Sequence, residues 1–164
     1  MSRSAILNAT IQNQLKLADI ETAEEAGAVL TLTRTAVLAI TTAGTTITWQ
    51  SEIRGYQITW SGTDITIPAD GWYHISITIS TLALLNDFLY RLRVNGTTVQ
   101  VASSIGDVNI DASSAHFMRY FAENDVVQIN VLPSANTNIL LVAENGVIES
   151  PILHIVQLSG GVDV

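Results

Sequence analysis

The sequence has no cysteine, which excludes a disulfide framework and any thiolate metal site and leaves the redox compartment open. It is also short of charge. Charged residues make up 13% of the chain, about half the usual share of about 25%, while hydrophobic residues reach 48%. The exterior must therefore be built largely from Ser, Thr, Asn and Gln. Such a surface suits a subunit interface or a particle exterior and points to an assembly; the alternative is an ordinary secreted β-domain with a Thr-rich face. Positive charge is scarcest of all: Lys16 is the single lysine, and of the arginines only Arg91 and Arg93 stand close together, on one face of an expected strand. With a formal net charge of −8, the chain is not expected to bind nucleic acid, which rewards clustered Lys and Arg.

Long apolar runs are missing too. The most apolar stretch, 26–40, is interrupted by Thr31, Thr33, Arg34 and Thr35 and falls short of the ~20 residues a membrane-crossing helix needs. No membrane association is expected. Ile6 and Leu7 are followed at once by Asn8, Gln12 and Asn13, so a classical export signal is not expected either.

The catalytic patterns are equally absent. No Gly-x-Ser-x-Gly elbow or His-Glu-x-x-His pair occurs, and His74, His116 and His154 fall on separate strands among apolar neighbours, where packing or interface roles are expected. The run Gly106-Asp107-Val108-Asn109-Ile110-Asp111 places oxygen donors at alternate positions, as calcium prefers. It lacks the central glycine and distal Glu of an EF-hand, and loop solvation explains it as well. Trp49, Trp60 and Trp72 are expected in the core rather than as a sugar platform. The expectation is a protein without enzymatic activity, metal or cofactor.

What the chain does have is alternation. In 66–80, "TIPADGWYHISITIS", Tyr73, Ile75, Ile77 and Ile79 fall on one side of a strand and His74, Ser76, Thr78 and Ser80 on the other. Before it, Pro68 fixes φ, Asp70 can bond its own backbone and Gly71 tolerates positive φ, which makes a turn. Similar runs are expected at 29–40, 46–49, 56–60, 64–67, 88–94, 98–102, 116–121, 126–132, 139–142 and 152–158. Their spacing is that of an all-β sandwich or barrel. Asn95-Gly96 between two such runs is a hairpin signal that prefers a type I′ turn. A chain of 164 residues is most simply one such domain.

Residues 1–27 differ. Leu7, Ile11, Leu15, Ala18 and Thr22 recur at helical spacing, and Gly27 is placed to close a helix; Asn8, Thr10 and Asn13 favour an extended arm instead. Both conformations stay open. The segment is read as an N-terminal attachment arm ahead of a β-domain over 28–164.

The order of these pieces over about 46–158 resembles the C1q and tumour-necrosis-factor-like jelly roll. The residues that carry the resemblance are Ile67-Pro68-Ala69-Asp70-Gly71-Trp72-Tyr73, the hairpin tip Val94-Asn95-Gly96-Thr97, the turn into a strand Ala122-Glu123-Asn124-Asp125-Val126-Val127-Gln128-Ile129, and the final Ser150-Pro151-Ile152-Leu153-His154-Ile155. Asn124 stands where the family often has Gly, and the collagen-like stalk of animal C1q proteins is missing. That turns the resemblance toward phage and bacterial members on virion or cell surfaces.

The resemblance implies a homotrimer with the sheet holding the strands after Gly71, after Asp125 and at the C-terminal end around a three-fold axis, so that His74, Ser76, Thr78, Gln128, Asn130 and His154 meet their symmetry mates. A solvent-wet sandwich face is the simpler alternative. The function expected is a phage virion structural protein, a capsid decoration or cement protein on the capsid surface. A single jelly roll with a short arm and no long shaft favours it. Its partner would be the major capsid protein or another virion protein, contacted through Ile6, Leu7, Ile11, Leu15 and Leu17. The alternatives are the receptor-binding tip of a tail fibre and a secreted bacterial C1q-like binding module.

Overall fold

The computed structural model describes residues 27–81, 87–104, 112–144 and 147–160. The described strands are, in chain order, β1 (Val29–Thr33), β2 (Leu38–Ile40), β3 (Thr45–Thr46), β4 (Ser51–Tyr56), β5 (Thr59–Ser61), β6 (Asp64–Thr66), β7 (Gly71–Ser80) and β8 (Phe88–Val94). They continue with β9 (Thr97–Ser104), β10 (Ala112–Phe121), β11 (Val126–Pro133), β12 (Thr137–Ile139), β13 (Val142–Glu144), β14 (Val147–Ser150) and β15 (Ile152–Gly160). The chain is all-β, and no helix among the described residues is long and apolar enough to cross a membrane. The expected attachment residues Ile6, Leu7, Ile11, Leu15 and Leu17 lie outside the described residues, as do 105–111 with the calcium-like spacing.

Alternation makes two layers. In one sheet β7 is central, with β10 and β15 antiparallel on its two sides. Beyond β15 lies β1, where Gln157 N–H donates to Ala28 O at 2.8 Å and Thr33 Oγ1 to Pro151 O at 2.8 Å, and β4 pairs with β1. The other sheet runs β5-β6-β11-β8-β9, with β3 on the far half of β11. Between the sheets lie Tyr73, Ile75, Ile77, Tyr90, Leu92, Phe117, Ile129 and Ile155, all essentially without solvent contact. Covering an aliphatic or aromatic side chain of this size contributes about 1.5–3 kcal/mol, which is why the period of two fixes which way each strand faces. One polar bond ties the layers: Tyr90 Oη donates to Ser113 Oγ at 2.6 Å, inside the core.

The turns follow from residue type. Asn95 and Gly96 have φ of 50° and 80°, both positive as a type I′ turn requires, and Val94 pairs with Thr97 across the tip. Asn124, in place of the Gly common in the resembling family, takes φ 67°, a conformation Asn tolerates better than most residues. Two expectations change. The run at 29–40 is broken at Arg34, whose buried guanidinium donates through Nη1 to Thr48 O and through Nε to Ala36 O at 3.1 Å, so β1 and β2 enter different sheets. Asp70 does not bond its own turn; its Oδ1 accepts from Glu123 N–H at 2.6 Å, joining two loops at one end of the sandwich.

Candidate functional site

The outward face of the sheet centred on β7 is where sequence and structure concentrate unusual chemistry. Buried Tyr73, Ile75 and Ile77 force Trp72, His74, Ser76 and Thr78 to point away from the core. Register then aligns them with their neighbours. Across β10, Tyr120 faces Trp72, Met118 faces His74, His116 faces Ser76 and Ser114 faces Thr78; across β15, Val156 faces His74, His154 faces Ser76 and Ile152 faces Thr78.

Three bands result. At the Trp72 end the rings of Trp72 and Tyr120 meet edge to face at 6.1 Å and 79°, and Met118 stands 58% exposed on the same face. In the middle runs a row of histidines. The rings of His74 and His116 stack at 5.5 Å and 11°, with Nε2 and Nδ1 3.4 Å apart, and His154 follows on the next strand, its Nδ1 sharing a 2.8 Å hydrogen bond with Thr31 Oγ1. At the far end Thr78 and Ser114 share a hydroxyl hydrogen bond of 2.9 Å.

Electrostatically this face is nearly blank. Among the described strand positions that point outward here, Arg54 of β4, opposite Thr31, is the one permanently charged side chain. Partial burial pushes His154 below the ordinary histidine range, and His74 and Arg54 push it the same way, since each disfavours another positive charge. No carboxylate orients any of these imidazoles among the described residues, so the row lacks the partner a general base would use. No three His, Asp or Glu side chains among the described residues are grouped to hold a metal ion.

The structure therefore brings together His74, Ser76, Thr78 and His154, and adds His116, which sequence reading left on its own. Gln128 and Asn130 do not join them. Their strand, β11, pairs with β6 and β8 in the opposite sheet. There Gln128 Nε2 donates to Asp64 Oδ1 at 2.6 Å and Asn130 Nδ2 to Thr46 Oγ1 at 3.3 Å. Alternation within a strand tells which residues point outward but not which layer the strand enters, and this assignment is corrected on that ground. The tryptophans also divide: Trp49 is buried, with no acceptor for its indole N–H; Trp60 is half-buried and donates to Glu52 at 3.0 Å; Trp72 lies on the open face. The outward position of Trp72 follows from its place beside inward Tyr73, whereas the convergence of His116 with His74 needed strand register, which alternation alone does not supply.

No protein-family model matches the chain, and no curated protein matches it in sequence. Solved structures do match in fold. Murine APRIL superposes with a TM-score of 0.56 at 13% identity, over 80% of this chain and 99% of APRIL. The globular domain of zebrafish complement 1qA gives 0.55 at 9% identity, over 82% of this chain and 99% of that domain. The PRD1 vertex protein P5 gives 0.56 at 13% identity, over 81% of this chain and 74% of P5. The fold is the jelly roll of TNF-like and C1q-like proteins.

Proposed function

We propose that this protein is a homotrimeric, non-enzymatic structural protein of a virion surface that decorates the capsid, and that its three copies meet through the outward face of the β7 sheet. One observation carries the reading: a face that spans a whole sheet yet offers stacked histidines, hydroxyls and exposed aromatics with, among the described strand positions, a single permanent charge. Desolvating charge is the main penalty in closing an interface, and this face presents almost none. Its apolar end, with Trp72, Tyr120 and Met118, is the kind of patch that monomers seldom leave in water. A virion vertex protein shares this jelly roll, so the fold is compatible with a place on a virion surface.

Attachment to the particle is assigned to residues 1–26, through Ile6, Leu7, Ile11, Leu15 and Leu17. Three arms on one trimer would raise the effective concentration of each, so modest single-arm affinity suffices for lasting attachment. Light scattering on the full chain should give about three times its 17.6 kDa mass, unchanged by high salt. A monomer or dimer at micromolar concentration would overturn the trimer. Incubating the protein with capsids stripped of it should restore high-copy binding and particle stability, and removal of residues 1–26 should abolish binding while leaving the trimer. Low copy number with blocked phage adsorption by free protein would assign it to a fibre tip instead.

A further inference from the structure

The close arginine pair of the sequence finds its place on the opposite sheet, away from the proposed interface. Tyr90 and Leu92 of β8 point into the core, which turns Arg91 and Arg93 outward, side by side on one strand. Strand register sets Arg91 opposite Asn130 of β11 and Arg93 opposite Thr98 of β9. The loop between β2 and β3 closes one side. Gly44, at φ +93°, lies so near Asn130 that a Cβ there would come within 2.9 Å of Asn130 Oδ1. Together Ala43, Arg91, Arg93, Thr98 and Asn130 line a polar cleft of about 260 Å³.

This cleft is rich in donors and poor in acceptors. Arg93 Nη2 donates to Gly96 O at 2.6 Å, which fixes the guanidinium and leaves its other N–H groups available. Arg91 has no hydrogen-bond or ion-pair partner among the described residues. Gln128, opposite Arg93, donates to Asp64 Oδ1 at 2.6 Å and Thr63 Oγ1 donates to the same oxygen at 2.8 Å, bonds that hold the Asp64 carboxyl below the usual range. In a chain with fifteen acidic residues against seven basic ones, two adjacent guanidiniums without a carboxylate are an arrangement that an anion relieves.

We propose that this cleft binds an oxyanion, a sulfate, phosphate or carboxylate group held by Arg91 and Arg93 with Thr98 Oγ1 beside them. The volume falls below the roughly 300–1,000 Å³ of sites for drug-sized ligands, so it accommodates a small ion or one acidic group of a larger chain rather than a whole oligosaccharide. The source is a free inorganic anion or an acidic polysaccharide. Because the cleft lies on the other sheet, it stays open when the β7 face is covered, and it does not depend on the trimer.

Titration calorimetry on the full chain at constant ionic strength tests it, with sodium sulfate, sodium phosphate and glucuronate as probes and glucose as the neutral control. Sulfate and phosphate should saturate in the millimolar range and glucose should not bind. The R91Q/R93Q protein should lose affinity by about tenfold or more, while R119Q, an arginine on β10, should not. If the double variant melts early, R91Q alone, in the arginine without a hydrogen bond to the hairpin tip, carries the test. Equal affinity in the wild type and the arginine variants, or no saturation at all, would overturn the site. Tighter binding of heparin than of sulfate, lost in R91Q/R93Q, assigns the ligand to a polysaccharide; equal binding assigns it to the free anion.

Discussion

The two outward faces of the sandwich arise from the same alternation and differ in chemistry. Over β7, β10 and β15 the outward positions include His, Ser, Thr, Met, Trp, Tyr, Ile and Val. Over β6, β11, β8 and β9 they include Asp64, Gln128, Arg91, Arg93 and Thr98. Both sets lie opposite inward rows of Ile, Leu, Val, Tyr and Phe that are equally buried. Core packing therefore cannot explain the difference. A face that meets only water gains from charge, whereas a face that meets protein is penalised for it; the uncharged side is the one suited to a second copy of the chain.

The sharpest way to break this comparison is to put one carboxylate on each face. Thr78 shares its hydroxyl bond with Ser114 and is paired directly with Ser114 on one side and Ile152 on the other, neither of which carries a permanent positive charge. Buried against symmetry mates without a counter-charge, Thr78→Glu should cost several kcal/mol per interface and convert the trimer to monomer in light scattering. Val101→Glu on the other face, half-exposed and opposite Arg91, should leave the mass unchanged. If both variants remain trimeric, the β7 face is not the interface.

Acid offers a graded version of the same test. His154 has its pKa lowered in the folded protein, chiefly by burial and then by His74 and Arg54, so the unfolded state binds the proton more readily. The stability it contributes is fully present above the ordinary histidine value of about 6.5 and is lost as pH falls below that toward the depressed folded value. Arg54 from β4, Thr31 from β1, and His74 and His116 from β7 and β10 surround the row, and none of them supplies a compensating negative charge. The melting temperature should therefore fall between about pH 7 and pH 5, and His154→Gln should flatten that slope. A slope unchanged in His154→Gln would place the acid response elsewhere.

A smaller effect is expected where the two layers are tied. Tyr90 is deeply buried, its phenol pushed up by desolvation, and Tyr90→Phe leaves Ser113 Oγ without its partner in the core. The loss should be about 1–3 kcal/mol, a drop of roughly 2–12 °C in melting temperature, without change in subunit mass. A monomeric Tyr90→Phe protein would mean that the two layers, and not only the β7 face, determine assembly.

Much of the fold was legible in the chain because period-two burial and the Asn95-Gly96 tip are local signals, each decided within a few residues. The candidate face was legible in part. His74, Ser76, Thr78 and His154 could be placed on outward positions one strand at a time. That His116 stacks on His74 depends on the register of β10 against β7, and that Gln128 and Asn130 belong to the opposite layer depends on long-range pairing; both are settled by contacts between residues tens of positions apart. The same holds for Arg91 and Arg93, whose adjacency was visible while the loop holding Gly44 over Asn130 was not.

The smallest expected effect lies at the hairpin tip of the charged face, and it separates backbone strain from packing. Gly96 has φ +80° and nothing within 4 Å of where a Cβ would stand, so Gly96→Ala meets no collision and pays only for the left-handed backbone, about 1 kcal/mol. Gly44, at φ +93°, would add a collision with Asn130 and Leu132 to the same strain, so Gly44→Ala should be the more damaging of the two. Because Arg93 bonds the backbone carbonyl of Gly96, the contact that orients the guanidinium survives in Gly96→Ala. That variant should melt roughly 2–4 °C lower, remain trimeric and keep its affinity for sulfate. Should sulfate binding fall with Gly96→Ala while the melting temperature barely moves, the tip would be positioning Arg93 through its backbone conformation, and the cleft would depend on the hairpin more than on the loop that holds Gly44.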